Sequence, residues 1–208
     1  MSRLWAFVKS APWTFGIGAL VFALALGGVL YGVIARPGDL TFLVRDGHEL
    51  RWDRGDLPVT CFHAKDLPAE YLSAYDGARA EIRERVGAEL LSKCLPWALQ
   101  TPPDGPASGL LYLRTRPPRD GLEGAHGAQT EHRYDKRSGR ILGAVLAADL
   151  DLPAELLPRV YLHEAGHVLG LDHDRESSSV MFPTAAGRPK ALSKRDVGAL
   201  RSAYVSGD

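Results

Sequence analysis

His163-Glu164-Ala165-Gly166-His167-Val168-Leu169-Gly170-Leu171-Asp172-His173 is the stretch on which the reading of this chain turns. Residues four apart lie one above the other on a helix, so the spacing predicts a helix that presents His163 and His167 on one face. Leu156, Val160 and Leu171 supply apolar surface to seat it in a core, and Pro158 fits only if the helix begins near Leu156. Gly170 suits the left-handed conformation that ends a helix, which turns the chain back and lets His173 join the other two imidazoles. Three neutral nitrogens and one open position suit a catalytic Zn2+, whereas structural zinc is usually closed by four protein ligands. Glu164 points away from the direction shared by the two helical histidines. It is suited to act as general base, taking a proton from a metal-activated water in the hydrolysis of a peptide bond. The bland alternative is a helix with solvent-facing histidines. With 22 Gly and 7 His in 208 residues, a Gly and a third His at these offsets arise by chance in roughly 0.4% of His-Glu-x-x-His matches, which favours the metal reading.

The rest of the composition is consistent with one exported domain. At 45% hydrophobic and 24% charged, the chain is too apolar to be disordered. Its 25 basic and 25 acidic residues give no bulk charge for a polyanion, and no Lys/Arg cluster interleaved with aromatics points to nucleic acid. Residues 10–35 carry no charged side chain. About 20 apolar residues cross a hydrocarbon core of about 30 Å, so this stretch is long enough to span a membrane. Arg3 and Lys9 precede it, and Trp5, Trp13 and Tyr31 fall near the expected interfaces. The expectation is a single-pass anchor with a cytoplasmic N-terminus and an extracytoplasmic catalytic domain. A cleaved signal peptide ending near Val33-Ile34-Ala35, and hence a secreted protein, is the alternative.

The chain therefore divides into an N-terminal anchor or signal segment at 1–36, a linker and leading strand at 37–49, and a catalytic domain at 50–208. Within the last two, 40–44 and 50–62 read as extended, and 66–91 as a long amphipathic helix that Asp66 can cap. Residues 109–114 read as a buried strand, 117–127 as a loop, 133–140 as a hairpin turn and 141–150 as a strand. Strands interleaved with long helices give an α+β (α/β-like) class. Cys61 and Cys94 are expected to form a disulfide on grounds of compartment, with two buried free thiols as the alternative.

The zinc motif resembles the signature of the metzincin metallopeptidases. Ser179-Val180-Met181-Phe182-Pro183 is similar to their Met-turn, which implies Met181 as an apolar floor beneath the imidazoles. By matching position the resemblance assigns His163, His167 and His173 as ligands and Glu164 as the base. Leu192-Ser193-Lys194-Arg195-Asp196 and the apolar-periodic stretch to Tyr204 resemble the matrixin C-terminal helix, and Ser193 with Asp196 also reads as a capping pair. Residues 52–59 look like the opening strand of matrixin and astacin catalytic domains. The implied fold is a twisted mixed sheet with an active-site helix and a C-terminal helix, preceded by one transmembrane helix. Asp174 after the third histidine is closer to the adamalysin pattern, Phe182 replaces the astacin tyrosine, and no cysteine-switch segment precedes the domain.

Matrixins often carry a second structural zinc and calcium ions before the catalytic helix. His126 and His132 fall in that region without a residue-by-residue match, so surface histidines are the expectation. The resemblance also places an edge strand before the helix, at 141–150, where a protein or peptide substrate would bind extended, with residues 183–185 along the neighbouring pocket. The competing functions are a non-catalytic, zinc-stabilised peptide-binding module and a zinc hydrolase acting on a non-protein amide.

Overall fold

A computed structural model describes residues 42–62, 67–96, 105–117, 127–184 and 189–206. They fall in the compact unit Leu40–Asp208. The apolar stretch read as a membrane span lies outside the described residues. Among the described residues no helix is long and apolar enough to cross a membrane.

The chain enters as a hairpin, β1 (Val44–Arg45) and β2 (His48–Glu49). Its turn is Asp46-Gly47, both at positive φ (50° and 82°), the backbone that a two-residue hairpin loop requires. Five strands then form one sheet: β3 (Val59–Phe62), β4 (Leu95–Pro96), β5 (Leu110–Arg116), β6 (Ala128–Tyr134) and β7 (Ile141–Asp149). Their order is β4-β3-β5-β7-β6, parallel except for β6, which runs antiparallel to β7. Three helices complete the described residues: α1 (Ala69–Val86), α2 (Leu157–Val168) and α3 (Lys194–Tyr204). The result is a mixed α+β domain.

Local sequence explains most boundaries. β7 (Ile-Leu-Gly-Ala-Val-Leu-Ala-Ala-Asp) is almost wholly buried, as suits a strand covered on both faces. That composition makes β7 an interior strand between β5 and β6, which corrects the expectation of an edge there; the edge is β6. The expected loop at 117–127 and turn at 133–140 left β6 unread, because its exposed positions (Glu131, Arg133) mask the alternation of Ala128, Thr130, His132 and Tyr134. Helix α1 is shorter than the periodicity suggested. Pro68 holds the N-cap position, and Gly87 ends the helix at φ 82°, its amide donating to the Arg83 carbonyl. Asp66 and His126 lie outside the described residues.

The core sits between the sheet and the helices. Tyr75 on α1 lies between Thr60 Oγ1 (2.6 Å) and the Ser92 carbonyl (2.9 Å), tying the helix to β3. Tyr71 meets Tyr161 of α2 edge to face at 6.3 Å between centroids, a geometry favoured by the ring quadrupoles. Arg201 of α3 donates to the Val86 carbonyl at the end of α1 (2.9 Å).

Cys61 and Cys94 are free and buried, a correction to the expected bridge. The parallel register sets Cys61 opposite Leu95, so Cys94 stands one residue short of being its partner. Burial raises the Cys61 thiol to about 11 and the Cys94 thiol to about 12. Native thiols then stay protonated where unfolded ones ionise, so their stabilising contribution is complete below pH 9 and is lost as pH rises towards 11–12. An aromatic disulfide reagent at pH 8 is expected to titrate two thiols per chain in urea and to label the native protein at least ~100-fold more slowly. Fewer than two thiols in urea without reductant would restore the bridge.

Candidate metal centre

Helix α2 begins as its sequence requires, with Leu156 at the N-cap position and proline in the first turn. It carries His163, 1% exposed, and the half-buried His167 on the face towards the cleft. Gly170, at φ 87°, ends the helix: its amide donates to the His167 carbonyl (2.7 Å) and its carbonyl accepts from Leu43 (2.7 Å). A Cβ at this position would also run into the Leu50 carbonyl, so both backbone and space call for glycine. The turn sends the chain back and brings exposed His173 to the other two rings.

The three imidazoles converge. Their centroids are separated by 4.5 Å (His163–His167), 4.8 Å (His167–His173) and 5.3 Å (His163–His173). One nitrogen from each falls within 4.8 Å of the others, and the Nε2 atoms of His167 and His173 stand 3.2 Å apart. His163 Nδ1 donates to the Val180 carbonyl (2.7 Å) and His167 Nδ1 to the Leu171 carbonyl (2.8 Å). A carbonyl only accepts, so both rings hold their proton on Nδ1 and turn the Nε2 lone pair inward, as a metal-ligating histidine does. This donor set fits zinc. Among the described residues it is the one group of three or more His, Cys, Asp or Glu placed to hold a metal.

The floor is built by the segment that follows. Met181 is fully buried against Gly166, where a Cβ would collide with its sulfur. The small residue between the two helical histidines thus lets the methionine approach the helix. The Met181 carbonyl accepts from Asp174 (3.0 Å). Asp196, at the start of α3, fixes the turn from below. Its carboxylate accepts from Ser179 Oγ (2.6 Å), Val180 N (3.1 Å) and Ser193 N (2.7 Å), while Ser193 Oγ caps the Asp196 amide (3.2 Å). The expected capping pair is therefore present as a reciprocal box. Arg195 adds an ion pair to buried Asp174 (3.1 Å).

Glu164, 4% exposed, lies on the wall of a cleft of about 300 Å³ that also holds the three histidines. The inward residues of β6 reach it. Thr130 Oγ1 donates to Glu164 Oε2 (2.8 Å), and His132 Nε2 lies 2.9 Å from the His167 carbonyl. His132 is thus half-buried beside α2 rather than a surface histidine, and burial lowers its pKa to about 4. Leu43 and Arg45, at the entering hairpin, also line the cleft. Neither Thr130 nor β6 was singled out in the sequence, although Ala-x-Thr-x-His-x-Tyr at 128–134 carries the period of a half-buried strand.

Residues 104–205 match the matrixin family, a stretch running from the sheet through α2 to α3. The match supports a zinc metallopeptidase family for the segment that carries the centre. No curated protein matches the chain. Among solved structures, archaemetzincin from Methanopyrus kandleri is similar at 17% identity with a TM-score of 0.44, covering 72% of this chain and 97% of that one.

Removing the Asp196 carboxylate strips three donors of a buried acceptor. Asp196→Ala should therefore cost about 3 kcal/mol or more in urea unfolding of the metal-free protein. A loss below about 1 kcal/mol would show that the turn is held without it.

Proposed function

We propose that this chain, matrixin-like over residues 104–205, is a zinc-dependent endopeptidase anchored in or secreted across a membrane and acting on protein or peptide substrates outside the cytoplasm. The observation that carries the reading is the convergence of His163, His167 and His173 beside a buried carboxylate in one cleft. His163, His167 and His173 would hold the ion, the first two with Nδ1 donating to a carbonyl and Nε2 left for the metal. Zinc, when bound, supplies a Lewis acid that lowers the pKa of water towards 7 and polarises the scissile carbonyl. Glu164 accepts the proton of the attacking water and returns it to the departing amine. Met181 supports the imidazoles from below, and Phe182 offers no hydroxyl to the reaction.

The substrate lies extended along β6. Among the described residues it is an edge strand, and a peptide added there would gain main-chain hydrogen bonds while side-chain pockets set selectivity. Thr130 and His132 face inward to α2, so the same strand that receives the peptide also lines the reacting centre. The apolar, uncharged run at 10–35 is the basis for membrane anchoring.

The zinc-loaded full chain should cleave unfolded protein and lose that activity to a chelator, regaining it with added zinc. Glu164→Gln should lower kcat by a factor of about 100 or more while zinc stays bound at one ion per chain. Activity retained in that variant refutes the assignment of the base. A zinc-loaded wild type that is inert on a broad peptide library refutes the peptidase reading in favour of a binding module.

A further inference from the structure

Resting on the reading of Glu164 as the base, we infer that Thr130 is a positioning residue that aims the Glu164 carboxylate. A glutamate side chain turns about three torsions, and the helix alone does not select among their settings. In this structure the sheet contributes to that selection. Thr130 sits on β6 opposite Leu146 of β7, and its hydroxyl donates to Glu164 Oε2 at 2.8 Å. The Glu164 backbone carbonyl lies 3.3 Å from the same oxygen, so the hydroxyl is seated against both ends of the residue, with its proton directed to the nearer, charged acceptor. A donor on Oε2 restrains the orientation of the carboxylate at the place where it would take the proton of water.

The neighbouring inward residue strengthens the case. His132, two positions along the same strand, places Nε2 2.9 Å from the carbonyl of His167, one helical turn beyond Glu164. Strand β6 therefore grips α2 at the base and again at a ligand, through side chains that alternate with the strand's outward positions. Because β6 is the sheet edge, a substrate strand paired to it and the carboxylate held by it share one rigid reference. Thr130 thus couples the position of the scissile bond to the direction of the base. Neither Thr130 nor His132 belongs to the zinc motif.

Valine keeps the shape of threonine and removes the hydroxyl, whereas serine keeps the hydroxyl and removes the methyl. In zinc-loaded protein, Thr130→Val should lower kcat about 10-fold or more, as expected for a lost hydrogen bond to a charged group, with KM within about twofold and zinc content unchanged. Thr130→Ser should restore kcat to within about threefold of wild type. A second measurement needs neither metal nor substrate. In urea unfolding of the metal-free protein, a cycle of Thr130→Val and Glu164→Ala should show coupling of about tenfold in the unfolding equilibrium constant. Additive effects in that cycle, or a Thr130→Ser variant as slow as Thr130→Val, overturn the inference. Coupling in the metal-free protein alongside a zinc-loaded wild type inert on peptides overturns the peptidase reading instead, and leaves the Thr130–Glu164 link standing.

Discussion

Two backbone carbonyls govern this molecule's candidate centre. Val180 O and Leu171 O take the Nδ1 protons of His163 and His167, and in doing so they decide where each ring's lone pair points. Both carbonyls lie after the helix that carries the rings, so the helix cannot orient its own histidines. The chain must come back along it twice. The first return is made at Gly170, whose positive φ and lack of a side chain let Leu171 fold against Phe42. The second is the 179–181 turn, held by a buried carboxylate that belongs to α3. The last helix is in this sense a strut for the second return, and its first turn matters more to the site than the rest of its length.

What the sequence revealed follows from the range of the interactions involved. The helix at 157–168, its glycine stop and the Ser193–Asp196 box are local events, written within four residues of one another, and they read correctly. The grouping of His163, Glu164 and His167 was legible for the same reason: they lie close together on one helix, and His173 is a glycine turn away. The matrixin match covers that segment, from 104 to 205. Other features depend on which strands become neighbours, and a polar sequence says little about that. Glu131 and Arg133 gave β6 the look of a loop, while their alternation with Thr130 and His132 is what lets one face of the strand meet α2. Register decided the fate of the cysteines in the same way, since Cys61 faces Leu95.

Long-range polar contacts also close the end of α2. Trp52 Nε1 donates to the Val168 carbonyl (2.8 Å), and the Tyr204 hydroxyl donates to that of Leu169 (2.8 Å) while accepting from the Trp52 amide (3.3 Å). Helix ends leave carbonyls without intrahelical partners, and burying them unpaired is costly. Here an early extended segment and the last residue of α3 both contribute to satisfying them. Residues from both ends of the domain therefore converge on the stretch between His167 and His173.

The exchange of roles between β6 and β7 bears most directly on the proposed function. Had β7 been the edge, a peptide paired to it would have been set off from Glu164 by a whole strand width, about 4.8 Å. With β6 outermost, the strand proposed to receive the peptide is the one whose side chains touch Glu164 and the His167 carbonyl. An edge strand is ordinarily a hazard that proteins blunt with charge. This one keeps charge only on outward-facing side chains, Glu131 and Arg133, and leaves its inward positions to the cleft. Main-chain pairing cannot distinguish one peptide from another, so selectivity in the proposed peptidase falls to the cleft walls. One wall is the entering hairpin, where Leu43 offers apolar surface and Arg45 a positive charge. That hairpin is fastened to Gly170 through the Leu43 amide, so the turn that places His173 also sets this wall of the cleft.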